Sequence, residues 1–263
     1  APDHPDVATS LNNIGGTYLA QGKYAEALEF QQKALELRKQ CLAPDHPDVA
    51  ASLNNIGGTY LAQGKYAEAL DFQQKALELR KQSLGEAHPD VAASLNNIGG
   101  IYLAQGKYAE ALKNQQAALS LLRKLLGEEH PETGHARGII GLTYLKLNDA
   151  KQGWKEVQQG VKIIKAGLGV GHPDTIGSVK RLVVLGRQHG GSLIAQQFLS
   201  DFLAELPPDH PERAELEALQ VGSPGAASQR PKAPQPSTKK PSAKKPSAKK
   251  PAAGAAKARK KKP

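Results

Sequence analysis

Methionine is absent from this 263-residue chain, and cysteine occurs once. A single cysteine permits no intramolecular disulfide and excludes a cysteine-rich metal site. It fits a reducing compartment. No apolar run approaches the roughly 18 residues needed to span a bilayer. No phosphate loop and no set of nucleophile, base and oxyanion donors is visible. This points away from an enzyme and calls for no cofactor and no metal. With Ala1 first and no methionine, the natural start is expected upstream, and a signal peptide is neither indicated nor excluded. The chain is nonetheless long enough to bury a sizeable core.

Acid is missing from one region. Between Gly222 and Pro263 there is no Asp or Glu, but there are thirteen cations: Arg230, Lys232, Lys239, Lys240, Lys244, Lys245, Lys249, Lys250, Lys257, Arg259, Lys260, Lys261 and Lys262. The chain holds 35 Lys and Arg in all, so residues 1–221 keep 22 against 25 acids, a net of −3. The overall charge of +10 therefore describes neither part. A mildly acidic body carries a strongly basic tail.

What the body does have is a period. His4, His46, His88, His130 and His172 stand 42 residues apart, and His210 follows after 38. A fixed spacing of this size marks a repeat architecture. Residues 1–42 and 43–84 differ at three positions: Thr9 and Ala51, Glu29 and Asp71, Cys41 and Ser83. Residues 85–126 are close to both, while 127–168 and 169–206 have drifted. Each unit reads as two helices. In the first unit Val7, Leu11, Ile14 and Tyr18 form one stripe of a 3.6-residue period, expected to be buried. Gly22 in "QGK" suits the left-handed residue that ends a helix. A second helix is expected from Tyr24 to Leu42, with Glu29 and Lys33 paired on its exposed side.

Most of these histidines sit in "HPD", a triplet that invites a metal or catalytic reading. The spacing favours punctuation instead. Proline fits the first helical position, where its missing N–H costs nothing. Aspartate follows in the first turn, where a negative charge suits the helix dipole. One histidine per repeat does not converge on a metal. His135 and His189 have no nameable partner.

"LNNIGGTYLAQGKYAEALEF", Leu11 to Phe30, resembles the tetratricopeptide repeat. Leu11 takes the first large apolar place, Ile14 and Gly15 the next pair, Tyr18 the tyrosine and Ala27 the alanine. The sequence departs from the pattern at Gln31, where an aromatic is expected, with Phe30 one position early. The terminal proline is absent, and a longer second helix accounts for the 42-residue period. With HPDVA, LNN and QGKY, the unit is similar to the repeats of kinesin light chains. The resemblance implies an all-α, right-handed superhelical solenoid over residues 1–206, in units 1–42, 43–84, 85–126, 127–168 and 169–206. A polar capping helix over 207–221 and a disordered basic tail over 222–263 complete the expected layout. The glycines Gly177, Gly186, Gly190 and Gly191 predict that the fifth unit is the least stable.

First helices line the inner face of such a solenoid. By helical angle, Thr9, Asn12, Gly16 and Ala20 face the groove, with Asn13 on the flank. Asn54, Asn55, Asn96 and Asn97 repeat the carboxamides. The resemblance gives these asparagines the role of binding an extended peptide backbone, through a donor and an acceptor each. Some of them are also expected to tie neighbouring helices together. Downstream the groove becomes basic at Lys146, Lys180 and Arg181, which suits either an acidic peptide or ordinary solvated charge.

The tail repeats a pentad, "STKKP" then "SAKKP" twice, and is similar to the Lys, Ala and Pro-rich tails of linker histones. Spaced charge suits a polyanion such as nucleic acid. "ARKKKP" also fits a nuclear import signal. The expected role is a non-catalytic, intracellular scaffold, cytoplasmic, binding peptides in its groove. The alternatives are a nucleic-acid-associated protein acting through the tail, with a nuclear location, and the sensor array of a larger signalling NTPase.

Overall fold

A computed structural model describes residues 5–188 and 192–220. His4, His189, Gly190, Gly191 and the thirteen tail cations lie outside them. The chain divides into two units, residues 1–223 and 224–263, and the described residues all belong to the first.

Among the described residues every regular element is a helix. There are eleven: α1 (Pro5–Ala20), α2 (Tyr24–Cys41), α3 (Pro47–Ala62), α4 (Tyr66–Leu84), α5 (Pro89–Ala104), α6 (Tyr108–Leu126), α7 (Pro131–Lys146), α8 (Ala150–Leu168), α9 (Pro173–Gln188), α10 (Ser192–Glu205) and α11 (Arg213–Gln220). Each odd helix from α1 to α9 packs on the even helix that follows it, and from α3 onward also on the even helix before it. This is an α-solenoid of helix pairs. No helix among the described residues is long and apolar enough to cross a membrane.

The histidines are helix starts, and the imidazole is itself the cap. His46 Nδ1 accepts from the Asp48 N–H at 3.1 Å, and His88 does the same for Asp90. His130, His172 and His210 repeat the bond to Glu132, Asp174 and Glu212 at 3.2 Å. The first four bonds each satisfy one of the orphan donors of a first turn, and the His210 bond closes the turn that leads into α11. The break between paired helices is made by a left-handed residue. Gly22, Gly64 and Gly106 have φ of 73–76°, and Asn148 takes the place at 63° in the fourth unit.

The expected stripe is buried only where a preceding unit covers it. Val49 and Ile56 are buried, as are Val91 and Ile98. In α1, Val7 and Ile14 are exposed because no helix lies against that side. Leu11 and Tyr18 are half-buried, and Ala8 and Gly15 supply the face that meets α2. Gln31 explains the departure from the aromatic pattern. It is 2% exposed, and its Oε1 accepts from the Thr59 hydroxyl at 2.8 Å, joining the first unit to the second. Phe30, one position early, stacks on Tyr18 with ring centroids 5.4 Å apart, and Phe72 stacks on Tyr60 in the same way.

A second polar tie was not foreseen. Arg38 is 6% exposed, and its Nη1 donates to the Asp48 carbonyl at 2.9 Å and to Ser52 Oγ at 2.8 Å. Arg80 repeats the bonds to Asp90 and Ser94. Burial pushes the Arg80 guanidinium below its ordinary value, against the pull of Asp90. At the equivalent place further on, buried Leu122 and Ala136 replace the Arg–Ser pair.

The fourth unit closes tightly through glycine. A Cβ on Gly160 would stand 2.5 Å from the Gly134 carbonyl, and one on Gly141 would stand 2.5 Å from Val157 Cγ2. The fifth unit, expected to be weak, holds most of the largest apolar cluster: Val179, Leu182, Leu199, Phe202 and Leu206 are all buried. α11 seals this end with Leu216, which is fully buried. Arg213 Nη1 donates to the Leu203 and Leu206 carbonyls at 3.0 and 2.6 Å, satisfying the last turn of α10.

Candidate peptide-binding groove

The carboxamide ladder has a repeat origin and an uneven geometry. Asn12 and Asn13 of α1 and Asn54 and Asn55 of α3 border a recess of about 620 Å³, floored by Gly16, Gly58 and Gln31. A Cβ at Gly16 or Gly58 would meet nothing within 4 Å. Three of the asparagines take part in ties between neighbouring helices. Asn12 Nδ2 donates to Ser52 Oγ at 3.2 Å, and Asn97 Nδ2 donates to Asn54 Oδ1 at 2.7 Å. Asn13 and Asn55 stay exposed. Asn12 Oδ1 and Asn96 Oδ1 are buried with no hydrogen-bond donor among the described residues.

The basic end separates into committed and open charge. Lys180 Nζ bonds to Glu212 and, at 2.7 Å, to Glu215, both beside or within α11. Burial alone would lower the Lys180 ammonium, but the two carboxylates outweigh it and hold it above its ordinary value. Its charge is used in seating the cap. Lys146 and Arg181 are exposed. Arg181 borders a recess of about 110 Å³ with His135, Gly138, Leu142 and Leu182. Burial holds the His135 imidazole below its ordinary value, with Asp174 opposing and Arg181 assisting. The recess is therefore apolar within and basic at its rim.

Beside the groove, Arg137 joins Glu156 at 2.7 Å and also pairs with Glu128. Burial would lower the guanidinium, and the two carboxylates raise it; the Arg137 hydrogen bond in turn depresses Glu128. No group of three or more His, Cys, Asp or Glu among the described residues is placed to hold a metal.

The tetratricopeptide repeat family model matches residues 6–82 and 90–152. The chain belongs to that family, and its architecture is that of a protein-interaction scaffold. No curated protein is similar enough in sequence to carry a comparison. Among solved structures, the Podosopora anserina kinesin light chain with nearly identical TPR-like repeats is 23% identical. It covers 76% of this chain and 95% of its own, with a TM-score of 0.60. BtubC (BKLC) from P. vanneervenii is 16% identical over 83% of both chains, at 0.62. A Rap protein complexed with competence and sporulation factor is 16% identical, covering 82% of this chain and 63% of its own, at 0.54. These likenesses define the fold as the kinesin-light-chain-like type.

Proposed function

We infer that the concave face binds an extended peptide from a partner protein, and that the chain is a non-catalytic adaptor of the kinesin-light-chain kind. The observation that carries this reading is the recess of about 620 Å³ in which Asn13 and Asn55 stand exposed beside Asn12 and Asn54. Each exposed carboxamide offers a donor and an acceptor to a peptide backbone laid along the groove. The small residues between them leave room for backbone. Lys146 and Arg181 favour an acidic residue toward the downstream end.

The test is selection of peptides from a randomised library on the full chain, at salt high enough to silence the tail. Asn13→Ala with Asn55→Ala should weaken the selected peptides by about 0.5–1.5 kcal/mol per bond lost. The helical circular dichroism should not change. Unchanged binding would place the ligand elsewhere.

The charge division supports a second activity, polyanion binding by residues 222–263. Thirteen cations without one acid meet phosphates but read no base edges. If half of them contact duplex DNA, log affinity against log salt should fall with a slope of about −5 to −6. A strong preference between two unrelated DNA sequences would defeat this reading.

A further inference from the structure

The outer surface changes sign along the array. It is built from the second helices of the units, which descend from one repeat, so equivalent positions can be compared within the chain. Glu29 and Asp71 become Lys113 and Lys155; Glu36 and Glu78 become Ser120 and Lys162. In α2 and α4 the exposed lysines are neutralised in place, Lys33 by Glu29 and Lys75 by Asp71, both at 2.7 Å. In α8 the corresponding acids are gone. Lys151, Lys155 and Lys162 are exposed and have no acidic partner among the described residues. Lys165 is the exception, paired with Glu205 of α10 at 2.7 Å.

These lysines flank a groove. Between α8 and α10 lies a recess of about 540 Å³ bordered by Lys151, Lys155, Gln158 and Ile194, with Trp154 in its wall. It runs through Gln158 and Gln159 into a second recess of about 360 Å³, bordered by Lys162, Lys165 and Phe198 and, on the α10 side, by Asp201 and Glu205. Ile194 is 45% exposed and the adjoining Leu193 is 80% exposed. Trp154 is 3% exposed, and its indole N–H has no acceptor among the described residues. The first of these recesses carries lysines and no acid, and the matching groove between α2 and α4 differs from it. It carries Glu36 and Glu78 beside Lys39 and Lys75, both signs in one place.

We propose that the outer groove between α8 and α10 is a second docking site, separate from the concave face, for an acidic amphipathic helix of a partner protein. The charge argues for acid. Lys151, Lys155 and Lys162 span three turns of α8, roughly 16 Å at 1.5 Å per residue. A partner carboxylate row at the same spacing meets all three. The apolar wall argues for a helix with one greasy face, because a phosphate backbone would leave Ile194 and Leu193 bare. The concave form of the site argues against a bilayer, which lies on flat or convex surface. A helix laid between two helices buries its apolar face and leaves charged flanks at the rim.

The probe is a synthetic 18-residue helical peptide with a leucine face flanked by glutamates, titrated against the full chain by fluorescence anisotropy. A peptide of the same leucine face with lysine flanks is the control. The glutamate peptide binds and the lysine peptide does not. Lys151→Glu, Lys155→Glu and Lys162→Glu together weaken the glutamate peptide on the order of tenfold to a hundredfold, from three exposed charge pairs. The same triple variant now binds the lysine peptide, a gain that damage to the fold cannot produce. Ile194→Asp weakens the glutamate peptide without helping the lysine one. Asn13→Ala with Asn55→Ala leaves both unchanged, which separates this site from the concave groove. Glutamate-peptide binding that survives the triple variant belongs to the basic tail and overturns the proposal. So does tighter binding of the triple-lysine surface to vesicles of phosphatidylserine than to the peptide.

Discussion

The most informative single residue is the histidine of the HPD triplet. Its regular spacing identified a helix start, and its chemistry there was not legible. Histidine is not among the usual capping residues, which are Ser, Thr, Asp and Asn, so the sequence points only to the proline and to the aspartate charge. The first-turn N–H of Asp48 is in fact accepted by Nδ1 of His46. At His210 the consequence is a fixed tautomer. With Nδ1 accepting, Nε2 carries the proton and donates to the Gly171 carbonyl at 3.2 Å, which draws α11 onto the fifth unit. Two variants separate capping from any other role. His46→Ala should cost about 0.5–2 kcal/mol in thermal unfolding, and His46→Asn should recover most of it, because asparagine caps well. A recovery by neither variant would show that the ring does something besides accept one hydrogen bond.

At the scale of the helix, the sequence told which segments coil and not what they hide. The 3.6-residue stripe found the first helices, but Arg38 in "LELRKQ" reads as one more surface cation. Only the approach of α3 gives it Ser52 and a carbonyl to bind. Gln31 likewise looked like a defect in the family pattern, and became intelligible once Thr59 stood opposite. Such pairs lie in different units, beyond the reach of local periodicity. They carry a sharp expectation. Ser52→Ala alone should destabilise the chain by about 1–3 kcal/mol, because it removes a buried acceptor from a buried cation. Arg38→Leu together with Ser52→Ala should cost much less than Ser52→Ala plus Arg38→Leu measured singly. The chain already uses that pairing as Leu122 and Ala136, and apolar replacement of a buried polar pair is often neutral. Strict additivity in urea unfolding would refute the coupling.

For the molecule as a whole, the layout of helix pairs was visible in the 42-residue period, whereas the two faces were legible to different degrees. The concave asparagines were expected from helical angle. The outer groove was not, because it depends on where α10 lies beside α8. The apolar cluster of the fifth unit was hidden for a related reason. Its glycines announce a propensity cost of ~1 kcal/mol each, and nothing local announces that Phe202, Leu206 and Leu216 converge on it. The near-identity of the first two units has a further consequence. α2 meets α3 through almost the same side chains by which α4 meets α5, so the contact surfaces hold little record of which neighbour is the right one. Order is kept by the short connections instead. The protein is thus an adjustable ruler, graduated in steps of 42 residues. Removing residues 43–84 should join α2 to α5 through a surface that already exists in the intact chain as α4 on α5. Calorimetry of the shortened protein should give one cooperative transition at a moderately lower temperature, and each unit added or removed should move the concave groove's length by one rung while leaving the outer groove at α8 untouched.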